Sequence, residues 1–189
     1  EQQCHWRQQL FADSCVRHGH IDEQHIRPFV PAATAFGYRS RVQFKCHNTP
    51  KGFILGFYRR GSHYVIDVRQ CPVIAPRIAA QMAPWRQVLD GSCYAALVPQ
   101  IDVAVGSDDA LRTIVHYRGN DLETFCDWLM DRLEGVEGTV LVQAGRKSSL
   151  MLLRGQPDLV IKVDEPPMAL YYGPGGFAQV HLDQNRHLV

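Results

Sequence analysis

Between Tyr38 and Cys46 the side chains alternate in character: Arg39, Arg41, Gln43 and Lys45 fall on one side, Ser40, Val42, Phe44 and Cys46 on the other. A period of two predicts a half-buried strand with one wet, cationic face. His47 to Lys51 supplies turn chemistry, and a second strand is expected from about Gly52 to Tyr58. Arg60 to His63 then turns the chain into a third strand, Tyr64 to Val68. These three should form an antiparallel meander.

Helical periods flank the meander. Up to Arg17 the chain reads as helix, with Cys4, Phe11, Cys15 and His18 on one stripe, Trp6 and Leu10 beside it, and an end near Gly19. Ile74, Ile78, Met82, Trp85 and Leu89 predict a second helix that Pro84 should kink or end. Ile101–Val105 and Leu111–Tyr117 look like a hairpin across residues 106–109. Asn120 followed by Glu123 signals a capping box for a helix through about Leu133. Further strands are expected at Thr139–Gln143, Ser149–Leu153, Leu159–Val163 and Ala169–Tyr172. Runs of strands around a few helices predict an α+β fold, mostly antiparallel sheet with a few packed helices.

Charge changes the picture of the meander. From Gly37 to Gln70 there are seven Lys/Arg against one acid, Asp67, in a chain whose formal total is +1. An asymmetric basic face on a near-neutral chain points to a polyanion partner, most simply nucleic acid. Strand positions two apart present cations about 6.6 Å from one another, suited to a phosphate backbone. Phe53, Phe57, Tyr58 and Tyr64 are either stacking platforms for unpaired bases or core.

Composition adds bounds. At 46% hydrophobic and 21% charged, 189 residues are enough for one ordinary domain with a core. No apolar run approaches a membrane span, so no membrane partner is expected. The six cysteines form no CxxC pair, which favours a reducing, cytoplasmic setting over a disulfide framework. The nine histidines lack spaced carboxylates or thiolates and read as surface or loop residues.

Local motifs carry little chemistry by themselves. Cys71-Pro72 is either a small buried hydrophobe or the last ligand of an iron–sulfur cluster, which needs three more thiolates. Gly173 to Ala178 formally matches a dinucleotide fingerprint, GxGxxA, the basis of a nucleotide-binding oxidoreductase reading. Pro174 in the turn and the extended look of Phe177–Val180 favour a plain turn instead. Gly145 to Ser149 has only the tail of a P-loop and reads as a hairpin turn. There is no HExxH and no nucleophile elbow.

Three segments together resemble one family. FGYRSRVQF, LGFYRRGSHYVIDVRQCPV and GGFAQVHLDQNRHLV are similar, in order and approximate spacing, to the S-adenosylmethionine-dependent RNA uridine-5-methyltransferases. The opening QQCHWRQQLFADSCVRHGHI resembles the helix after that family's cysteine-rich segment. The resemblance implies the central domain of a longer multidomain enzyme. An N-terminal RNA-binding domain and a CxxxxxCxxC segment would precede it, and a C-terminal methyltransferase domain would follow. Residues 1–175 would be the central RNA-recognition and iron–sulfur-associated domain, and 176–189 the start of the linker. Both ends read as interrupted elements, which agrees with a segment of a longer protein.

The same resemblance implies roles. Arg39, with Arg41 after it, would touch substrate RNA. Phe177 would lie near the target base, and Gln179 would contact the methyl donor, S-adenosylmethionine. His181 stands where the motif has Asn. Cys71 would be the fourth ligand of a 4Fe–4S cluster in the parent, with no cluster expected in this segment. The expected partner is RNA, ribosomal ahead of transfer RNA. Position 5 of uracil accepts a methyl group only after a cysteine adds at position 6, and a base then removes the position-5 proton from a flipped-out nucleotide. None of the six cysteines stands in the family's nucleophile context. The segment would therefore recognise substrate without being a complete enzyme. A freestanding RNA-binding module is the alternative.

Overall fold

Seven strands line up in one sheet in the computed structural model, which describes residues 2–145, 150–164 and 166–187. Their order is β3-β2-β1-β4-β5-β6-β7, formed by β1 (Arg41–Thr49), β2 (Gly52–Tyr58), β3 (Val65–Asp67), β4 (Gln100–Val105), β5 (Leu111–Tyr117), β6 (Thr139–Ala144) and β7 (Leu150–Arg154). Every pairing is antiparallel except β5–β6, which run parallel. A parallel pair needs a crossover, and the helix from Leu122 to Met130 provides it. A separate hairpin pairs β8 (Leu159–Asp164) with β9 (Pro167–Tyr172). The α+β expectation with a mostly antiparallel sheet holds, including the three-strand meander.

Alternation along β1 sorts the two faces of the sheet. Val42, Phe44 and Cys46 are buried, while Gln43 is exposed and Arg41 and Lys45 are half-buried. Register carries this across neighbours: Phe44 faces Ile101, Ile101 faces Val115, and Val115 faces Val142. On this apolar face Ile78, Met82, Trp85, Leu89, Phe125 and Leu129 from the helices join a single core cluster. Tyr117 stacks on Phe125 with ring centroids 4.1 Å apart.

The helices depart from expectation at their ends. The first, α1 (Gln2–Gly19), buries none of its residues, so its expected apolar stripe packs no core, and the positive φ at its end belongs to His20 rather than Gly19. The second breaks at Gln81 into α2 (Pro76–Ala80) and α3 (Met82–Leu89). Pro84 lies in the first turn of α3, where backbone N–H groups have no intrahelical acceptor and a missing donor costs nothing. In α4 (Leu122–Met130) the cap is Asp121, not Asn120: its carboxylate accepts from the Thr124 N–H at 3.1 Å. Beyond Gly145 the expected 145–149 turn lies outside the described residues. No helix among the described residues is long and apolar enough to cross a membrane.

Candidate nucleic-acid interface

The three segments that share the family resemblance meet at the start of β1. The Arg39 N–H donates to the Val73 carbonyl at 2.8 Å, and the Arg39 carbonyl accepts from Ala75 at 3.1 Å. On its other side Arg39 bridges His181 in antiparallel fashion. Ser40 donates to the Val180 carbonyl twice, through its N–H at 2.7 Å and its hydroxyl at 3.0 Å. The Gly37 N–H reaches the Pro72 carbonyl at 2.8 Å. A short length of chain around Arg39 is thus held between the segment after Cys71 and the segment before α5 (Leu182–Asn185).

His181 fixes the third segment in two ways. Its Nδ1 accepts from the Gln184 N–H at 3.3 Å, which makes it the N-cap of α5. Its ring stacks on Tyr38, centroids 4.6 Å apart and planes 14° from parallel. An asparagine here would cap the same turn, so the exchange of the motif's Asn for His keeps the cap. An accepting Nδ1 places the ring proton on Nε2. That nitrogen and Arg39 Nε are both buried without a hydrogen-bond partner.

Two arginines clamp the turn that leads in. Cross-strand register puts Arg41, Ala104 and Arg112 in one row on the face of the sheet away from the core. Arg41 Nη1 donates to the Gly176 carbonyl at 3.1 Å. Arg112 Nη1 donates to the carbonyls of Pro157 at 2.8 Å and Tyr172 at 2.9 Å, and its guanidinium lies 5.0 Å from the Tyr172 ring centroid. Burial lowers the Arg112 pKa from its ordinary value, with the Tyr172 phenol acting against that. Gly106 admits the hairpin, since a Cβ there would lie 2.9 Å from the Val160 carbonyl oxygen.

The residues with expected roles are placed as follows. Phe177 is 81% exposed and Gln179 is exposed, both on irregular chain between the turn and α5. Arg39 and Arg41 are half-buried. No helix begins at Gly173–Gly176, so the dinucleotide fingerprint lacks the helix N-terminus on which it depends. Of the aromatic residues in the meander, Phe53 is core and Phe57 packs against it, whereas Tyr58 and Tyr64 are exposed.

Neither implied cofactor finds a complete site here. A four-iron cluster takes four thiolates; Cys71 is half-buried, and among the described residues no group of three His, Cys, Asp or Glu side chains is gathered for a metal. One exposed amide, Gln179, does not make a pocket for the methyl donor. Burial pushes the Cys46 thiol up to about 12 and raises that of Cys126, the opposite of what a nucleophile requires.

The sequence reading missed Tyr38, Ser40 and Arg112 as organising residues. Only Arg112 carried a visible signal, as a lone cation inside the apolar run Leu111–Tyr117.

Comparison with known proteins covers most of the chain. No protein-family model matches the chain. The 23S rRNA (uracil(1939)-C(5))-methyltransferase RlmD of Aromatoleum aromaticum is 28% identical over 82% of this chain and 36% of its own length. The enzyme of that name from Paracidovorax citrulli is 28% identical over 97% of this chain and 38% of its own. Over most of its length the chain is similar to RNA uridine-5-methyltransferases. It spans well under half the length of these curated relatives. Among solved structures, the tRNA (uracil-54, C5)-methyltransferase of Pyrococcus abyssi, in complex with S-adenosyl-L-homocysteine, matches with a TM-score of 0.62 at 15% identity, over 84% of this chain and 40% of that one. At that identity the match speaks for the fold alone.

Proposed function

We propose that this chain is the RNA-recognising central domain of an S-adenosylmethionine-dependent RNA (uracil-5-)-methyltransferase acting on 23S ribosomal RNA in the cytoplasm. The observation that carries the proposal is the junction at Arg39, where chain from three distant parts of the sequence is tied by backbone hydrogen bonds. Curated relatives named for 23S ribosomal RNA support the substrate class.

In this reading Arg39 and Arg41 meet the RNA backbone, and Phe177 presents an open ring to the target base. Gln179 offers its amide to the methyl donor. These residues bind and orient, while the nucleophilic cysteine and the proton-abstracting base come from a methyltransferase domain outside the described residues. The bound donor supplies the methyl group. Cys71 as a cluster ligand requires three thiolates from outside the described residues, and no step depends on it.

The test is a titration of the chain with a labelled 23S ribosomal RNA fragment, comparing wild type with Arg39→Ala. Removing one charge-assisted hydrogen bond to phosphate is expected to weaken binding about tenfold, or ~1.4 kcal/mol. Equal affinities would overturn the assignment of Arg39.

A further inference from the structure

We propose a second RNA-contact subsite on the open end of the same sheet face, a hollow that takes a phosphate and the carbonyl edge of a neighbouring base. It rests on the reading of RNA as the partner.

Register places Lys45, Gln100, His116 and Gln143 directly opposite one another on β1, β4, β5 and β6. At about 4.8 Å per strand, they form a polar row roughly 14 Å long. The β8–β9 hairpin covers the face at the Arg41–Arg112 row, but the Lys45 row lies in a hollow of about 670 Å³. Tyr58, Arg118 and Asn120 complete its rim, and no acidic residue lines it among the described residues.

The row is ordered from the neighbouring row on the same face. Buried Asp102 accepts from Gln43 Nε2 at 3.1 Å and Gln100 Nε2 at 2.6 Å, and lies 3.3 Å from His116 Nε2. With its amide nitrogen committed to Asp102, Gln100 turns its oxygen to accept from the Lys45 ammonium. The ammonium also sits 5.4 Å from the Tyr58 ring centroid. Asp102 thus spends its charge orienting donors rather than facing the hollow. The side chains of Arg118, Asn120 and Gln143 make no hydrogen bond within the described fold, and an ammonium has three N–H groups of which Gln100 uses one. A hollow rich in free donors and free of carboxylates suits an acceptor-rich ligand: phosphate oxygens, and the ring carbonyls of a pyrimidine. Arg41 and Lys45 share a face of β1 about 13 Å apart, so one strand of RNA can pass from the Arg39 junction to the hollow.

The experiment titrates the full chain with a 5′-fluorescein-labelled ten-nucleotide single-stranded RNA across a salt series. It compares wild type, Lys45→Gln with Arg118→Gln, and Arg39→Ala, each checked for its fold by circular dichroism. The double variant is expected to bind about tenfold more weakly, with a salt slope shallower by about 0.7 for each phosphate no longer neutralised. Wild-type affinity and slope in the double variant, alongside weakened binding by Arg39→Ala, would overturn the subsite and leave the RNA reading standing. Weakening in the double variant alone would support the subsite and count against the Arg39 assignment. Absence of binding by wild type would remove both. Gln143→Ala provides a second probe should the double variant misfold: a drop in affinity supports the subsite, and no change opposes it.

Discussion

Tyr38 and His181 lie ring on ring, 4.6 Å between centroids, joining the approach to β1 to the cap of α5. This stack and the paired Ser40 hydrogen bonds hold the irregular 177–180 segment, which carries both Phe177 and Gln179, against the sheet. An irregular segment is thereby given a rigid mount.

Tyr38→Ala removes the stack and leaves the backbone bonds. An aromatic pair contributes about 0.5–1.5 kcal/mol beyond its burial. Amide hydrogen exchange is expected to speed up about threefold to tenfold at Gln184 and neighbouring residues, with core strands such as β4 unaffected. Faster exchange throughout β4 would mean that Tyr38 supports the whole fold.

Asp102 links stability to pH. Burial raises its pKa, but hydrogen bonding and charge from His116, with the amides of Gln100 and Gln43, outweigh that and leave it below the ordinary carboxylate value. The stabilisation is therefore fully present above the unfolded value of about 3.9 and is lost as pH falls through the folded one. Melting temperatures measured between pH 5 and pH 2 should fall more steeply for wild type than for Asp102→Asn. Parallel curves would show that the network contributes no linkage.

Gly56 marks a close approach of β2 to β3. A Cβ at this position would lie 1.9 Å from the Ile66 carbonyl oxygen, which is backbone and cannot swing aside. Gly56→Ala is expected to cost at least 1–3 kcal/mol, the range for overpacking. Urea denaturation would measure it, and a loss under 0.5 kcal/mol would show that β3 shifts freely.

What could be read from the sequence was what local periodicity encodes. The alternation from Arg41 to Cys46 gave the two faces of β1, and the stripe through Phe125 and Leu129 gave the buried side of α4. Where a helix ends depends on which neighbouring group wins a hydrogen bond. Asn120 and Asp121 are both good caps, and only the fold shows that Asp121 reaches the Thr124 N–H. The stripe on α1 was legible but packs no core here. The Arg39 junction was legible only as resemblance, because it ties residues 39–40 to 73–75 and 180 through main-chain groups that every residue type possesses.

Arg112 offers the sharpest test of how the mount is built. It is 2% exposed, and one of its nitrogens serves the carbonyls of both Pro157 and Tyr172, fastening the two ends of the β8–β9 hairpin to β5. Arg112→Met keeps most of the volume and removes the donors, so two carbonyls lose a charged partner. Hydrogen bonds to charged groups contribute about 1.5–3 kcal/mol each, and an acceptor left buried costs about 1–3 kcal/mol. A total loss of about 3–6 kcal/mol is expected in denaturant unfolding. Because Tyr172 leads directly into the Gly173–Gly176 turn, the loosening should also reach the 177–180 segment. Hydrogen exchange should rise in β8, β9 and the Ser40 N–H, which donates to Val180, before it rises in β1 or β4. Arg112→Lys retains the charge but not the forked donor geometry and should recover only part of the protection. If Arg112→Met destabilised every strand equally, the guanidinium would be a general core element rather than the anchor of the turn.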